Sequence, residues 1–549
     1  MLVTTRLLVN GRIYSSFAPD ATSIAITDGT VVWVGDERAG RALHPAAEIE
    51  DLGGAFVTPG FVDTHVHITA LGLNLVGLDL VGANSLDECL SRVRTFAAAN
   101  PETAHPETAH PDAVIWGHGW DDTEWADQTP PSTADLDAAA PGRKVYLSRI
   151  DVHSAACSSA LRDGISGLAD TAGYSADGPL TFDSHHLARN AARNLLTESQ
   201  RASARTAALD LCASRGIVAV HECGGPDISG LTDFQELLAH DHGVEVRGYW
   251  GERVDTEEDA RALLDKTGAD GLGGDLFIDG SLGSHTAWLL EPYADQPDSA
   301  GNAYLDVDAI AAHIRACTLA GVQAGFHAIG DGAVSSAAAA FRKVADELGG
   351  PKVAALGHRL EHAEMMSMAD AETFAALGVI ASVQPVFDAL WGGTDGLYAT
   401  RLGVDRAAAL NPFAPAAGKG VSLAFSSDAP VTPIEPWAML RAAVQHRTDG
   451  SGISPRAAFS AATRGAWRAG GVRDGAAGTL NPGAPASYVL WEAGELEVSA
   501  PADSVQRWST DPRSRVPALP RLAEDAPIPV CIKSVHRGRV VYQRGSTSE

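Results

Sequence analysis

The sequence is short of positive charge. Its 549 residues carry 41 Lys and Arg against 69 Asp and Glu, a formal net charge of −28. A duplex-binding face needs a basic footprint, so nucleic acid is not an expected partner. Long apolar runs are also missing, so no membrane span is expected. The N-terminus offers Arg6 and a very short apolar stretch before Asn10-Gly11. That is too weak for a signal peptide and reads as a first strand and turn. Cysteine is sparse. Cys89, Cys157, Cys212, Cys223, Cys317 and Cys531 are scattered, with no C-x-x-C pair. This fits buried thiols in a reducing compartment, and the expected location is the cytoplasm. What remains is an ordinary globular mix, 45% hydrophobic and 20% charged. At roughly 100–200 residues per domain, the length calls for several domains or one large barrel with additions. The expected partner is a small-molecule substrate; a homo-oligomer is compatible with the sequence but is not read from it.

The stretch around which the chain is organised is Pro59-Gly60-Phe61-Val62-Asp63-Thr64-His65-Val66-His67. If it is a strand, His65 and His67 project to one side and can hold one metal ion. Imidazole suits Zn²⁺ and its transition-series neighbours. The plain alternative is two polar residues closing an ordinary strand.

Residues 1 to about 58 read as short strands and tight turns, among them Leu7–Val9, Ser23–Ile26 and Val31–Gly35. The C-terminus repeats the style at Ala486–Trp491 and Arg537–Tyr542, so a small sheet domain built from both termini is expected. The middle is α/β. Expected strands are Phe61–His67, Ile217–Glu222, Val244–Trp250, Asp275–Asp279, Val322–Ile329, His358–His362, Val379–Gln384 and Val421–Ser427. Helical patterns separate them, such as Val307–Ala320 and Ala333–Leu348. Eight strands alternating with helices is the number that closes a (β/α)₈ barrel. A long excursion, about Thr69 to Arg215, leaves the C-terminal end of the first strand, where barrel active sites sit, so part of it is expected over the site. It contains the tandem repeat Pro101–His105/Pro106–His110, which reads as a solvated loop.

Four further positions fall on or after expected strands: His327, His362, Asp428, and Asp275 or Asp279. Any one alone is more simply a hydrogen-bonded residue, a turn or a cap. Together, His-x-His on the first strand, His on the fifth and sixth and Asp after the eighth converge at one mouth of a barrel. Such a set is a catalytic divalent-metal site with room for water, Zn²⁺ first, Fe²⁺ or Mn²⁺ also suited.

PGFVDTHVH at 59–67, DGSLGSHTA at 279–287, FHAIGD at 326–331, RLEHA at 359–363, VQP at 383–385, SSDAPV at 426–431 and GTLNPGAPASYVL at 478–490 occur in this order. In these motifs, over nearly its whole length, the chain resembles the amidohydrolase superfamily, within it amidohydrolase family 3, the YtcJ-like group. The resemblance implies a (β/α)₈ barrel at 59–475, with a long insertion at about 69–215, and a small β-sandwich from 1–58 and 476–549. It implies His65, His67, His327 and His362 as metal ligands and Asp428 as the general base beside a metal-activated water. It implies hydrolysis of C–N bonds other than peptide bonds, of amide or N-formyl type.

The chain departs from the pattern in three places. Asp275 stands where many relatives carry a carboxylated Lys that bridges two metals. Its short side chain leads us to expect one tightly held ion on His65, His67 and Asp428, with His327 and His362 nearby. Asp275 itself is either a ligand or merely opens a strand. His285 stands where Arg is common, and Ser158-Ser159, after His153, where Asn-Ser is common. His285, Asp279, Trp120 and Gln384 are the expected substrate contacts. A superfamily deaminase, a metal-assisted isomerase or decarboxylase, and a non-catalytic binding scaffold are the alternative functions.

Overall fold

The apolar run Phe61–Val66 forms strand β1, buried at all six positions, as expected of a parallel-sheet strand covered on both faces. The computed structural model describes residues 4–100, 113–150, 154–498 and 516–545. The tandem repeat at 101–110 and His153 lie outside the described residues. The chain divides into two units, Met1–His67 with Leu209–Glu549, and Ile68–Ala208.

In the first unit, β1 is followed by β2 (Ile217–Gly224), β3 (Glu245–Trp250), β4 (Gly271–Leu272) and β5 (Gln323–Ala324). These form one sheet in sequential order, every pair parallel. A second parallel sheet runs β6 (His327–Ala328), β7 (Arg359–His362), β8 (Ile380–Val383) and β9 (Ser422–Phe425). Isolated parallel bridges pair Phe277, after β4, with His327 of β6, and Val66 of β1 with Ala429, after β9. At the latter, Asp428 N donates to His65 O and His67 N to Ala429 O, each at 2.9 Å. Helices separate all of these strands but β5 and β6: Val307–Ala320 lies where its pattern predicts, and Asp331–Leu348 starts two residues earlier than predicted.

Two expected strands are corrected. Asp275–Asp279 is not a strand; the ladder lies earlier, at β4, and only Phe277 bridges. Val322–Ile329 is split into β5 and β6 around Gly325-Phe326. The reason is a close backbone crossing. A Cβ on Gly273 would sit 2.4 Å from Gly325 Cα, so the two chains pass with no side chain between them.

Both termini meet in one sheet, in the order Arg12–Ile13, Phe56–Pro59, Tyr488–Glu492, Val530–His536, Arg539–Gln543. A four-stranded sheet of Thr30–Gly35, Ser23–Thr27, Thr5–Val9 and Glu48–Asp51 packs with it through Leu8, Ile24, Val34, Val57, Leu490 and Val535. The second unit has its own five-stranded sheet and two apolar cores. No helix of the described residues is long and apolar enough to cross a membrane. All six cysteines are buried and unpaired.

Candidate metal centre

His65 and His67 emerge at the end of β1 on one side. Phe61 anchors the start of β1, edge-on to Trp437 and Trp491 at 5.3 and 5.8 Å. Asp63 ties β1 to the segment after β9, its carboxylate accepting from Ser427 N at 3.0 and 3.1 Å. His327 opens β6 and His362 closes β7. His362 and Asp428 both adopt the left-handed conformation, at φ 68° and 56°. Such backbone stores on the order of 1–3 kcal/mol and persists where the surroundings over-determine it.

These segments bring His65, His67, His327, His362, Asp275 and Asp428 together. His65 Nε2 lies 3.4 Å from Asp275 Oδ1 and 3.5 Å from Asp428 Oδ1. His67 Nε2 lies 3.4 Å from Asp275 Oδ2 and 3.3 Å from Asp428 Oδ1. His327 Nδ1 is 3.5 Å from Asp275 Oδ1. The His362 ring lies 4.9 Å from that of His65 and 4.4 Å from that of His327, centroid to centroid. Charge-assisted hydrogen bonds close to about 2.7–2.9 Å, so the spacing is too open for direct pairing. His65 Nε2, His327 Nδ1, His362 Nε2 and Asp275 Oδ1 are buried and make no hydrogen bond. Orphaned nitrogen and oxygen atoms of this kind, ringed by two carboxylates, are a donor set that fits a divalent cation. Ligand atoms of His65, Asp275 and His362, and of His65, His67 and Asp428, lie within 4.8 Å of one another. A third such group, His65 with Cys223 and Glu361, is not a cation site, because Arg359 already bonds both Glu361 oxygens.

The electrostatics follow from burial and the paired charges. Burial depresses His67 and His327, but the aspartates outweigh it and raise both. The same balance, with Cys223 also beside it, raises His65 well above the usual range. Burial, then the His327 and His65 charges, lower His362 to about 3, so it is neutral. Burial pushes Asp428 and Asp275 up, and the imidazoles more than reverse this, so both are carboxylates. A bound cation would displace the protons that His65, His67 and His327 hold in its absence.

Asp275 does not open a strand or face solvent. Its carboxylate stands between the His65/His67 pair and His327. The retraction expected of a short side chain is made up by the backbone, which leaves β4 at once and passes so close to Gly251 that a Cβ there would meet Asp275 O at 2.6 Å.

The four expected substrate contacts each have partners within the protein. Asp279 is fully buried and accepts the backbone N–H groups of Ile329, Gly330 and Trp288 at 2.8–3.0 Å. Its oxygens are committed to holding the loop after β6. Gln384 accepts from His362 Nδ1 at 2.9 Å and donates to Ser426 Oγ at 2.9 Å. It therefore fixes the His362 ring with its Nε2 lone pair free. His285 is held by Asp295 at 3.0 Å and packs edge-on to Tyr293. Trp120 is a core residue of the second unit, its indole N–H donated to Leu147 O at 2.9 Å.

Sequence reasoning passed over Glu361 and Arg359. Glu361 Oε2 lies 3.1 Å from His65 Nδ1. The signal was present: Arg-x-Glu at 359–361 places two charges on one face of a strand, as His-x-His does at 65–67.

A sequence model of the Amidohydrolase family matches residues 48–542. Protein LONG AFTER FAR-RED 3 of Arabidopsis thaliana is 29% identical over 541 residues, 91% of this chain and 90% of that protein. YtcJ of Bacillus subtilis (strain 168) is 27% identical over 452 residues, 78% of this chain and 80% of that one. Among solved structures, a metal-dependent hydrolase from Pyrococcus furiosus superposes with a TM-score of 0.72 at 26% identity, over 88% of this chain and 98% of that one.

Proposed function

The chain belongs to the amidohydrolase family, and from that premise we propose that it is a metal-dependent hydrolase of a small molecule, cutting a non-peptide C–N bond of amide or N-formyl type with an activated water. The observation that carries this reading is the set of buried, unpartnered donor atoms on His65, His327, His362 and Asp275, closed by His67 and Asp428. We read the two parallel sheets and their bridges as one (β/α)₈ barrel, residues 59–475, and the two terminal sheets as a β-sandwich of 1–58 and 476–549.

His65, His67, His327, His362, Asp275 and Asp428 would hold a divalent transition ion, Zn²⁺ first. Such an ion lowers the pKa of water towards ~7 and polarises a carbonyl. The protein's own residues do the rest. Asp428, a carboxylate beside His65 and His67, takes the proton of the attacking water and returns it to the leaving nitrogen. Asp275 holds negative charge between the histidines, and Gln384 holds His362 in the tautomer that presents Nε2. We place the enzyme in the cytoplasm, acting on a small molecule with no nucleic acid or membrane partner.

The test is a panel of N-formyl, N-acyl and dipeptide substrates on zinc-loaded and chelated protein, with amine and ammonia read separately. Chelator-sensitive amine release from the N-formyl or N-acyl compounds is the expected result. Ammonia release in their place, or turnover of dipeptides alone, would overturn the assigned bond.

A further inference from the structure

We infer that the Arg359–Glu361 pair is a positioning device for His65, and that it sets how tightly the His65 side of the centre holds a metal. This rests on the metal-centre reading above. Both residues are fully buried on β7. Arg359 grips Glu361 through two parallel bonds, Nε to Oε1 at 2.8 Å and Nη2 to Oε2 at 2.9 Å. The guanidinium is itself fixed from three other strands. It donates to Thr64 O on β1 at 2.6 Å and to His221 Nδ1 on β2 at 2.9 Å. It lies 4.2 Å from the ring centroid of Tyr249 on β3. Tyr249 is pinned in turn, its hydroxyl donating to Gln323 Oε1 at 2.7 Å.

Glu361 therefore has no freedom to turn, and its Oε2 accepts from His65 Nδ1. That bond keeps a ring proton on Nδ1, so Nε2, which faces Asp275 and Asp428, is the nitrogen that would bind an ion. A carboxylate behind an imidazole also makes the ring a stronger donor. The other histidines have weaker backing. His362 rests on the neutral amide of Gln384, and His327 Nε2 donates to the Gly280 carbonyl at 3.1 Å. His65 is thus the anchor of the set. Fold stability is a poor reason for the pair, because a fully desolvated ion pair contributes little net stability.

The experiment is zinc affinity of the stripped full-length protein, by competition with a chromophoric chelator, beside thermal melting of the metal-free form. Glu361→Asp keeps the charge that Arg359 needs but draws the carboxylate back from His65. It should bind zinc ~10–100-fold more weakly with unchanged metal-free melting. Arg359→Met/Glu361→Gln removes both charges and keeps an acceptor oxygen, and should stay within ~10-fold of the native protein. Arg359→Met/Glu361→Met removes the acceptor too, and should lose as much as Glu361→Asp or more. Native zinc affinity in Glu361→Asp overturns the positioning role, even if neither double variant folds. Equal losses in the two double variants overturn the acceptor's part. A native protein that binds no zinc overturns the metal-centre reading itself.

Discussion

Gln384→Leu separates a metal-positioning residue from a substrate contact. Leucine nearly matches the volume and removes both polar atoms. Two hydrogen bonds go, to His362 Nδ1 and to Ser426 Oγ. Ser426 keeps a second bond, to Val383 O, but His362 Nδ1–H is left buried without an acceptor. Two neutral bonds at about 1 kcal/mol net each, with some penalty for the stranded donor, put the cost at about 2–4 kcal/mol. The ring also loses what fixes its tautomer, and removing such a partner lowers metal affinity by ~10–100-fold. The assay is chelator competition on the stripped variant, with KM and kcat for any confirmed substrate at saturating metal. Weaker metal binding with KM nearly unchanged is expected. A raised KM with native metal affinity would refute the positioning argument and return Gln384 to the substrate.

Two other expectations follow. Asp428→Asn should keep its metal and lose ~10²–10⁴-fold in kcat, the range for a positioned acid–base group; near-native turnover at full metal content would remove it from that role. Acid should destabilise the fold through His313 and His358. Burial lowers them to about 4 and about 3, and each accepts a backbone N–H, from Val254 and Ala324. With folded values below the unfolded one, near 6.5, the unfolded state takes up protons first, so their contribution is complete above pH 6.5 and is lost as pH falls towards 4 and 3. At about 1.4 kcal/mol per pH unit, His313 alone accounts for on the order of 3 kcal/mol. Denaturant unfolding of the metal-free protein at pH 7 and pH 4.5 measures it, and equal stability would contradict the burial argument.

The sequence made the clustered histidines legible because His65-x-His67 has strand spacing and His327 and His362 close apolar runs. It exposed the parallel strands for the same reason, since buried strands read as short continuous apolar segments. It misplaced the strand before Asp279 because Leu276-Phe277-Ile278 has strand composition, whereas the ladder is set by the Gly273–Gly325 crossing, a contact across 52 positions. Residues that serve other residues were hidden. Asp279, Gln384 and Glu361 lie in motif stretches, but their partners are far off in sequence: Ile329 for Asp279 and His65 for Glu361. The sequence shows a polar residue beside a site but not the hydrogen bonds it makes. Nor does it show that the Trp120 indole is bonded inside the core of the second unit.

The central claim is that His65, His67, His327, His362, Asp275 and Asp428 hold a divalent transition metal. Elemental analysis of the as-purified protein beside a His65→Ala/His67→Ala variant tests it most directly. At least one equivalent per chain in the native protein, lost from a variant that still folds, is the predicted result. Full metal occupancy in the double variant would contradict it.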